Sequence, residues 1–276
     1  MQKKFNRHGD PDSWHREYDL YASDLDTVFV DNCRWPKCYH LEMNDDEIQL
    51  WLEYIDGASG GNLTVHMNEL AAEELGRLQG RLYAEQPAVL QNLSNLSEVN
   101  FQKNYYLRYK SWPVVYDYIR FDECKIPKHL CKMLIDIDSR ADEIWSRIEK
   151  LPVVLCHRDF WVTNIFYSDD KIVLIDWDTT GWGYLGEDIA ALIADDSDIT
   201  LMAENYRRCI PAYYRGFSEY VDVSHITDNL IYEQILFIFG YRFIDFFVDS
   251  ESPGDKALQI DSLQKIYEMG IDRLTS

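Results

Sequence analysis

The chain has 276 residues, of which 46% are hydrophobic and 14% aromatic, and this composition excludes a disordered polypeptide. The length fits a single domain or a unit of two lobes. Acidic residues outnumber basic residues by 48 to 27, which gives a formal net charge of −21. A field of this sign repels nucleic acid and anionic membranes and attracts cationic small molecules. Acidic cytosolic proteins also carry such charge for solubility, so both interpretations stand.

Cysteines and apolar runs predict a cytoplasmic protein without a membrane span. The six cysteines are scattered and no secretory signal is seen, a pattern that favours reduced thiols. The closest pair, Cys33 and Cys38, has no second pair to complete a zinc site. The longest apolar run, residues 230–248, is interrupted by charged residues and predicts a buried helix. On that helix, a buried ion pair of Arg242 is favoured over a contact with substrate.

The N-terminal part predicts a helix followed by a β-hairpin. Asp12 or Ser13 is a suitable N-cap for a helix that ends near Ala22. Two strands, residues 38–43 and 47–53, flank a polar turn and read as a hairpin. The second strand runs into a stretch rich in serine and glycine, which predicts a loop.

Helices dominate the remainder of the prediction. Apolar residues recur on one helix face in residues 71–82, and Gly76 and Gly80 on that helix indicate close packing against a neighbour. Residues 91–104 are polar and predict an exposed loop or a substrate-side insertion. Further helices are expected at residues 128–150, from residue 187, and at residues 201–221, 225–248 and 256–273, with a kink or break at Pro211.

Four polar residues at fixed spacings follow the apolar run 153–155. His157 and Asp159 come first, and Asn164 follows five residues after that aspartate. A short β-hairpin then leads to Asp176 and is a stiff way to hold Asn164 beside it. The hairpin strands are predicted at residues 165–167 and 172–175, joined through Ser168, Asp169 and Asp170.

These residue types suit the transfer of a γ-phosphoryl group. The reaction needs charge placed around a loose transition state and a group that meets the acceptor hydroxyl. Asp159, at the mouth of a loop, can accept or orient the hydroxyl proton. The oxygens of Asn164 and Asp176 are hard ligands that suit Mg²⁺, an ion that keeps several waters and bridges nucleotide phosphates. The pattern therefore predicts a phosphoryl-transfer site.

The sequence resembles the phosphotransferase family that includes aminoglycoside phosphotransferases and choline kinases, through His157-x-Asp159, Asn164 and the run Ile-Asp-Trp-Asp at residues 175–178. The resemblance implies a protein-kinase-like α+β fold with a truncated small β lobe, residues 1–55, and a large, mainly helical lobe, residues 56–276. Nine residues separate Asp178 from Asp188, too few for the activation segment of a protein kinase. The resemblance also implies that Asp188 and His157 brace the catalytic loop.

Nucleotide-binding residues are implied by the same resemblance. A strand lysine, Lys3 or its neighbour Lys4, would reach the phosphates and pair with Glu17 on the following helix. Backbone groups from Glu53 to Ile55 would meet the adenine edge at the hinge between the lobes. The alternatives are solvated lysines at a frayed terminus and an ordinary strand that ends in a loop.

The family also has a glycine-rich hairpin before the strand lysine, and no residues precede Lys3 that could form it. We expect either a start further upstream or weak nucleotide binding. The leading interpretation is a kinase of a small hydroxylated molecule that uses ATP or GTP and Mg²⁺. The alternative is a catalytically weak or inactive kinase-like module that binds or regulates.

The sequence leaves the identity of the acceptor and the oligomeric state open. Aminoglycosides, choline-like amines, sugars and amino alcohols all fit the pattern, and a cationic acceptor would suit the acidic charge. If that charge serves the acceptor, the acidic residues of the late helices are candidates to line the cleft: Glu219, Asp222, Asp228, Glu233 and Asp245.

Overall fold

The computed structural model describes residues 13, 15–44, 47–93, 95–110, 113–121, 124–195, 198–226 and 230–275. It has the expected α+β, kinase-like fold, in which a small lobe that contains a sheet precedes a larger helical lobe. Lys3, Lys4 and Asp12 lie outside the described residues. The strands are β1 (Cys33–Arg34), β2 (Cys38–Met43), β3 (Ile48–Leu52), β4 (Ala58–Ser59), β5 (Val153–Cys156), β6 (Ile165–Ser168), β7 (Lys171–Leu174) and β8 (Gly181–Tyr184). The helices are α1 (Arg16–Tyr21), α2 (Val65–Glu85), α3 (Ala88–Asn92), α4 (Phe101–Lys110), α5 (Pro113–Arg120), α6 (Lys128–Ser139), α7 (Ala141–Ile148), α8 (Glu187–Ala194), α9 (Met202–Ser218), α10 (Ile231–Ile235), α11 (Tyr241–Asp249) and α12 (Pro253–Thr275).

The small lobe contains the predicted hairpin. Strands β2 and β3 pair antiparallel, with Met43 opposite Ile48. Helix α1 precedes them, and its N-cap residue is His15, whose imidazole makes no capping hydrogen bond. The prediction that Ser13 caps this helix is wrong, because the backbone carbonyl oxygen of Ser13 accepts the N–H of Arg16 at 3.1 Å in a turn before the helix.

The hairpin β6–β7 lies in the middle of a sheet with the strand order β1-β7-β6-β4. Its two-residue turn is formed by Asp169 and Asp170, which have φ values of 51° and 60°. Both residues are left-handed, as the preferred two-residue hairpin turn requires. Ile165 pairs with Leu174 at the opposite end. The residues before β6 and after β7 therefore emerge side by side, as the sequence predicts.

Helices α2 and α9 pack at very short range, as the glycines on α2 predict. A Cβ atom on Gly76 would lie less than 3.0 Å from the backbone oxygen of Tyr213, and one on Gly80 less than 3.0 Å from that of Phe217. Gly216 on α9 makes the same kind of approach to Glu73. Side chains at these positions would separate the two helices.

Some predicted helix boundaries are wrong. The helix expected at residues 128–150 is divided at Arg140, whose φ of −110° leaves helical geometry between α6 and α7. The helix expected at residues 225–248 begins only at Ile231, and a π-helical turn, Leu236–Gly240, connects α10 to α11. Pro211 does not divide α9, which runs from Met202 to Ser218 and packs along α2. Hydrophobic periodicity does not register such local changes in helix winding.

The polar segment at residues 91–104 is only partly exposed, with Gln91, Asn92, Glu98 and Asn100 at the surface. Asn95 and Ser97 are buried, and α4 begins within the segment at Phe101. Ser97 extends the β5–β8 sheet, since its N–H donates to Thr180 and its C=O accepts from Trp182. Polar side chains here are buried because their hydrogen bonds are made inside the protein.

Apolar side chains from both lobes form a continuous core. No helix among the described residues is long and apolar enough to cross a membrane. The run at residues 230–248 is largely buried in that core, as predicted. All six cysteines are free thiols, and Cys33 and Cys38 form no metal site with other described residues.

Candidate active site

The loop after β5 is fixed by the carboxylate of Asp188, at the start of α8. This carboxylate accepts the backbone N–H of His157 at 2.9 Å and that of Arg158 at 2.8 Å. Both residues precede Asp159, so the loop enters the site in one defined conformation. The role of Asp188 as a brace is thereby confirmed.

The ring of His157 acts as a second brace. It is buried, and its Nε2 atom lies 2.9 Å from the C=O of Ile175, which precedes Asp176. Burial lowers the pKa of His157 to about 4, so the imidazole is neutral at pH 7. The ring also packs on Trp177, with 4.5 Å between the ring centroids. His157 therefore joins the catalytic loop to the Asp176 turn.

Asp159 and Asn164 are held together by direct hydrogen bonds. The Asn164 Nδ2 atom donates to the Asp159 carboxylate at 2.7 Å and to the Asp159 C=O at 3.0 Å. Burial raises the pKa of Asp159 to about 6; the bond from Asn164 opposes this shift and the nearby charge of Asp176 adds to it. A carboxylate with this pKa is largely ionised at pH 7 and well matched to act as a base.

Asp176 follows β7 on the same side of the site. Its φ of 62° is left-handed, which turns the backbone sharply as it leaves the sheet. The N–H of Ile175 donates to the C=O of Asn164 at 3.1 Å, so the segments that carry these two proposed ligands are in contact. Burial raises the pKa of Asp176. The structure thus brings Asp159, Asn164 and Asp176 together as the sequence spacing predicts.

The donor set suits a hard divalent cation with few protein ligands. Asn164 uses its NH₂ group on Asp159, which leaves its amide oxygen for a metal, and Asp176 adds a carboxylate. No group of three or more His, Cys, Asp or Glu side chains that could hold a metal ion occurs among the described residues. One amide oxygen and one carboxylate fit Mg²⁺, which normally keeps waters and binds substrate phosphates in addition to one or two protein carboxylates.

Glu17 reaches the same turn from helix α1. Its carboxylate accepts the N–H of Trp177 at 3.3 Å. Burial raises the pKa of Glu17 to about 7, opposed by this hydrogen bond and supported by the charges of Asp176 and Asp178. The pairing of Glu17 with Lys3 stays a prediction, because Lys3 lies outside the described residues.

The predicted hinge residues Glu53 and Ile55 lie between β3 and β4. The Glu53 carboxylate binds Arg34 through two contacts, at 2.6 and 3.1 Å, and accepts the N–H of Lys37 at 2.9 Å. Its side chain is therefore committed to the base of the hairpin, and Arg34 lowers its pKa. Ile55 is buried, whereas Tyr54 between them is 89% exposed. An adenine contact here would use the backbone, and it stays a prediction.

A cavity of about 150 Å³ opens beside Asp159. Asp195 and Arg242 form an ion pair at 3.1 Å in its wall. The expected ion pair of this arginine is therefore present, but its side chain is 27% exposed rather than buried. The Arg242 guanidinium also lies 5.7 Å from the ring centroid of Phe239. The other lining residues are Phe101, Gln102, Tyr105, Arg158, Glu187, Asp188, Ala191 and Ile238. The sequence singles out Arg242 but does not connect it to Asp195, because the two residues are far apart in the chain and follow no common motif.

The acidic residues expected to line the cleft do not do so where the structure describes them. Glu219 pairs with Arg77 at 2.9 Å, and Asp222 accepts the N–H of Ser224 at 2.9 Å. Glu233 and Asp245 are buried, and neither lines the cavity beside Asp159. Asp228 lies outside the described residues. Position on a late helix does not fix which face of that helix meets the site.

Arg158, between His157 and Asp159, has a φ of 68° and a fully buried side chain. Its guanidinium donates to the C=O of Glu98 at 2.8 Å and to that of Trp182, and lies 3.6 Å from the Glu187 carboxylate. A non-glycine residue in this region costs roughly 1–2 kcal/mol. Contacts of the side chain hold Arg158 there, so the backbone that presents Asp159 is anchored on both sides.

Comparisons with known proteins identify the family and the fold of this chain. The model of the phosphotransferase enzyme family matches residues 6–220. No curated protein matches this sequence.

An aminoglycoside phosphotransferase structure from Alicyclobacillus acidocaldarius subsp. acidocaldarius has a TM-score of 0.60 at 14% identity and covers 96% of this chain and 81% of that chain. Amicoumacin kinase hAmiN, in complex with AMP-PNP, Ca²⁺ and Ami, has a TM-score of 0.58 at 13% identity, with coverages of 92% and 76%. A choline/ethanolamine kinase family protein from Mesorhizobium loti has a TM-score of 0.55 at 14% identity, with coverages of 92% and 80%. Likeness at these identities shows a shared fold.

Proposed function

Because the chain belongs to the phosphotransferase enzyme family, we propose that it transfers the γ-phosphoryl group of ATP, or of GTP, to a hydroxyl group of a small molecule. The observation that carries the proposal is the arrangement of Asp159, Asn164 and Asp176 on one loop and one hairpin, beside a cavity. A binding module would not need a half-buried carboxylate with a raised pKa at the mouth of that cavity.

Asp159 would act as the base. As the acceptor oxygen forms its bond to the γ-phosphorus, the hydroxyl proton passes to the Asp159 carboxylate. The bond from phosphorus to the bridging oxygen breaks in the same step, and the nucleoside diphosphate leaves. Asn164 holds one carboxylate oxygen of Asp159 by its hydrogen bond, so the other oxygen can face the acceptor. Most of the catalytic effect comes from such positioning and from charge, since the transition state is loose.

Asn164 and Asp176 would hold Mg²⁺ through the amide and carboxylate oxygens. The ion, when bound, neutralises charge on the nucleotide phosphates. Glu17 lies behind this pair, on the backbone of Trp177. In this arrangement Glu17 would receive Lys3, and Lys3 would reach the phosphates.

The cavity beside Asp159 supports an acceptor that carries positive charge. Its lining contains four carboxylates, from Asp159, Glu187, Asp188 and Asp195, against two guanidinium groups, from Arg158 and Arg242. The aromatic side chains of Phe101, Tyr105 and Phe239 add faces that attract cations. A hydroxylated amine suits these walls. Solved structures of the same fold include an ethanolamine kinase and an aminopropanol kinase, whose names denote acceptors of this chemistry.

The test is an assay of nucleoside diphosphate release with Mg²⁺ and ATP or GTP against a panel of acceptors. The panel should pair hydroxylated amines with neutral alcohols of the same size, and Asp159→Asn should serve as the inactive control. We expect release that depends on both the acceptor and Asp159. Nucleotide binding by calorimetry without any release would favour the inactive kinase-like module instead.

A further inference from the structure

Arg16 is buried completely, although it lies on the first turn of the short helix α1. Its Nε atom donates to the C=O of Asn95 at 2.6 Å, and its Nη1 atom donates to the C=O of Asp178 at 2.6 Å. Buried arginine is uncommon, and here these two hydrogen bonds are made to backbone carbonyl groups. One guanidinium therefore joins α1 to two distant segments of the large lobe.

The second of these contacts lies in the turn that carries Asp176. Glu17, the next residue of α1, accepts the N–H of Trp177 in the same turn. Two adjacent residues of one helix thus bind two adjacent parts of the turn, one as a donor and one as an acceptor. Because Asp176 has a left-handed φ of 62°, the turn is not a default conformation and needs such contacts to stay in place.

The contact of Arg16 with the C=O of Asn95 belongs to a closed set of contacts between four segments. Asn95 donates from its side chain to Asp19 on α1 at 3.0 Å, and nearby Ser97 is paired with the strand β8. Strand β8 follows the Asp176 turn in the sequence. These contacts form a closed ring of four segments, namely residues 95–97, β8, the Asp176 turn and α1. The Arg16 guanidinium lies where α1 contacts both the Asn95 segment and the Asp176 turn.

We propose that Arg16 is a positioning residue for the metal ligand Asp176, and that it acts by holding the Asp176 turn against α1 and the Asn95 segment. The inference rests on the proposed function, since it assigns to Asp176 a bound Mg²⁺. Arginine is suited to this task because its planar guanidinium presents several donors in a fixed geometry, so it can bind two carbonyl groups at once. Lysine has a single ammonium at the end of a flexible stem and cannot reproduce both bonds.

The experiment compares Arg16→Lys and Arg16→Gln with the control Arg81→Lys. Arg81 also donates to a backbone carbonyl, that of Phe29 at 2.9 Å, but it is 30% exposed. The Phe29 ring stacks on Trp177 with 5.7 Å between the centroids, so this control tests a contact near the turn whose hydrogen bond goes to Phe29 and not to the turn itself. Two quantities are measured: the affinity for Mn²⁺ in the presence of a nonhydrolysable ATP analogue, by electron paramagnetic resonance, and the hydrogen exchange of the Trp177 amide without metal. Circular dichroism checks the fold, and Asp176→Ala defines the loss of the metal site.

For both Arg16 variants we expect Mn²⁺ affinity to fall at least fivefold and the Trp177 amide to exchange at least tenfold faster, with Arg81→Lys unchanged. Faster exchange with unchanged Mn²⁺ affinity would overturn the proposal, as would unchanged exchange. If neither Arg16 variant folds, Arg16 serves the fold rather than the position of Asp176, and the proposal is likewise overturned. A wild-type protein that binds no Mn²⁺ with the nucleotide would instead overturn the proposed function, an outcome that is seen before any variant is made.

Discussion

Gln79 binds Asp188 from helix α2, with the Gln79 Nε2 atom 2.9 Å from the carboxylate. The same amide donates to the C=O of Leu155 at 3.0 Å, and its oxygen accepts the hydroxyl of Tyr213 on α9 at 2.5 Å. The brace of the catalytic loop is therefore tied to the closely packed helix pair α2–α9. Through Gln79 the position of the loop depends on the packing of two helices far from it in sequence.

Gln79→Met should lower the free energy of unfolding by about 2–4 kcal/mol, because buried partners lose their hydrogen bonds. Asp188, Leu155 and Tyr213 would each keep a polar atom in the core without this partner. Denaturant unfolding measures the change. Gln91→Met, at an exposed position, is the control and should stay within about 0.5 kcal/mol of the wild type. Similar stabilities of the two variants would show that water replaces the Gln79 amide.

Asp159→Asn should reduce the rate of phosphoryl transfer by about 10²–10⁴, the usual contribution of a positioned base. The amide has nearly the same shape, so nucleotide affinity should stay within a few-fold of the wild type. Steady-state kinetics and calorimetry measure the two quantities. Asp170→Asn in the exposed hairpin turn is the matched control. A rate close to the wild-type rate would remove Asp159 from the mechanism.

Asp195→Asn should raise the KM of amine acceptors at least tenfold and leave the KM of the nucleotide unchanged. Asp195 is the acidic member of the ion pair in the wall of the cavity that we propose holds the acceptor. The KM of neutral alcohols should rise much less. Asp198→Asn, nearby but exposed, is the control. An equal rise in KM for charged and neutral acceptors would mean that Asp195 shapes the cavity through Arg242 rather than attracting a cation.

Glu17→Gln tests this half-buried carboxyl group through the pH dependence of stability without metal. Burial raises the pKa of Glu17 to about 7, so the folded state binds a proton that the unfolded state releases between about pH 4.5 and 7. The contribution of Glu17 to the free energy of unfolding is therefore fully present below about pH 4.5 and is lost as the pH rises through 7.

We expect the free energy of unfolding of Glu17→Gln, relative to that of the wild type, to be higher at pH 7.5 than at pH 5.5 by about 1–2 kcal/mol. Denaturant unfolding in the presence of a chelator measures the difference, and Glu219→Gln, at a site with an exposed side chain, is the control. Equal differences at the two pH values would support a Glu17–Lys3 ion pair, because such a pair would keep the carboxylate charged.

Gly216→Ala should destabilise the protein by at least about 2 kcal/mol, because the added methyl group would overlap the backbone of α2. The Cβ atom would lie less than 3.0 Å from the backbone oxygen of Glu73. Gly61→Ala is the control, since no heavy atom lies within 4 Å of its Cβ position. Thermal unfolding compares the two. Equal transition temperatures would show that α2 and α9 can separate at little cost.

Local features of this protein were determined by its sequence. The spacing of Asp159, Asn164 and Asp176 could be read directly, because a tight hairpin turn forces the ends of its strands together. The predicted turn was one residue too long, since Ser168 pairs with Lys171 at the end of the strand. The glycines Gly76 and Gly80 likewise indicated a close helix pair. These predictions succeeded because turn geometry and backbone contact depend on residues near one another in the sequence.

The tertiary structure alone decided the rest of the site. The cavity wall at Asp195 and Arg242, the burial of Asn95 and the role proposed for Arg16 all depend on contacts between segments many residues apart. A polar residue such as Asn95 looks exposed until its partners are known, since burial is tolerated only where each polar group is bonded. The acidic residues of the late helices failed as candidates for the same reason: charge is visible in the sequence, but the face on which it lies is set by packing.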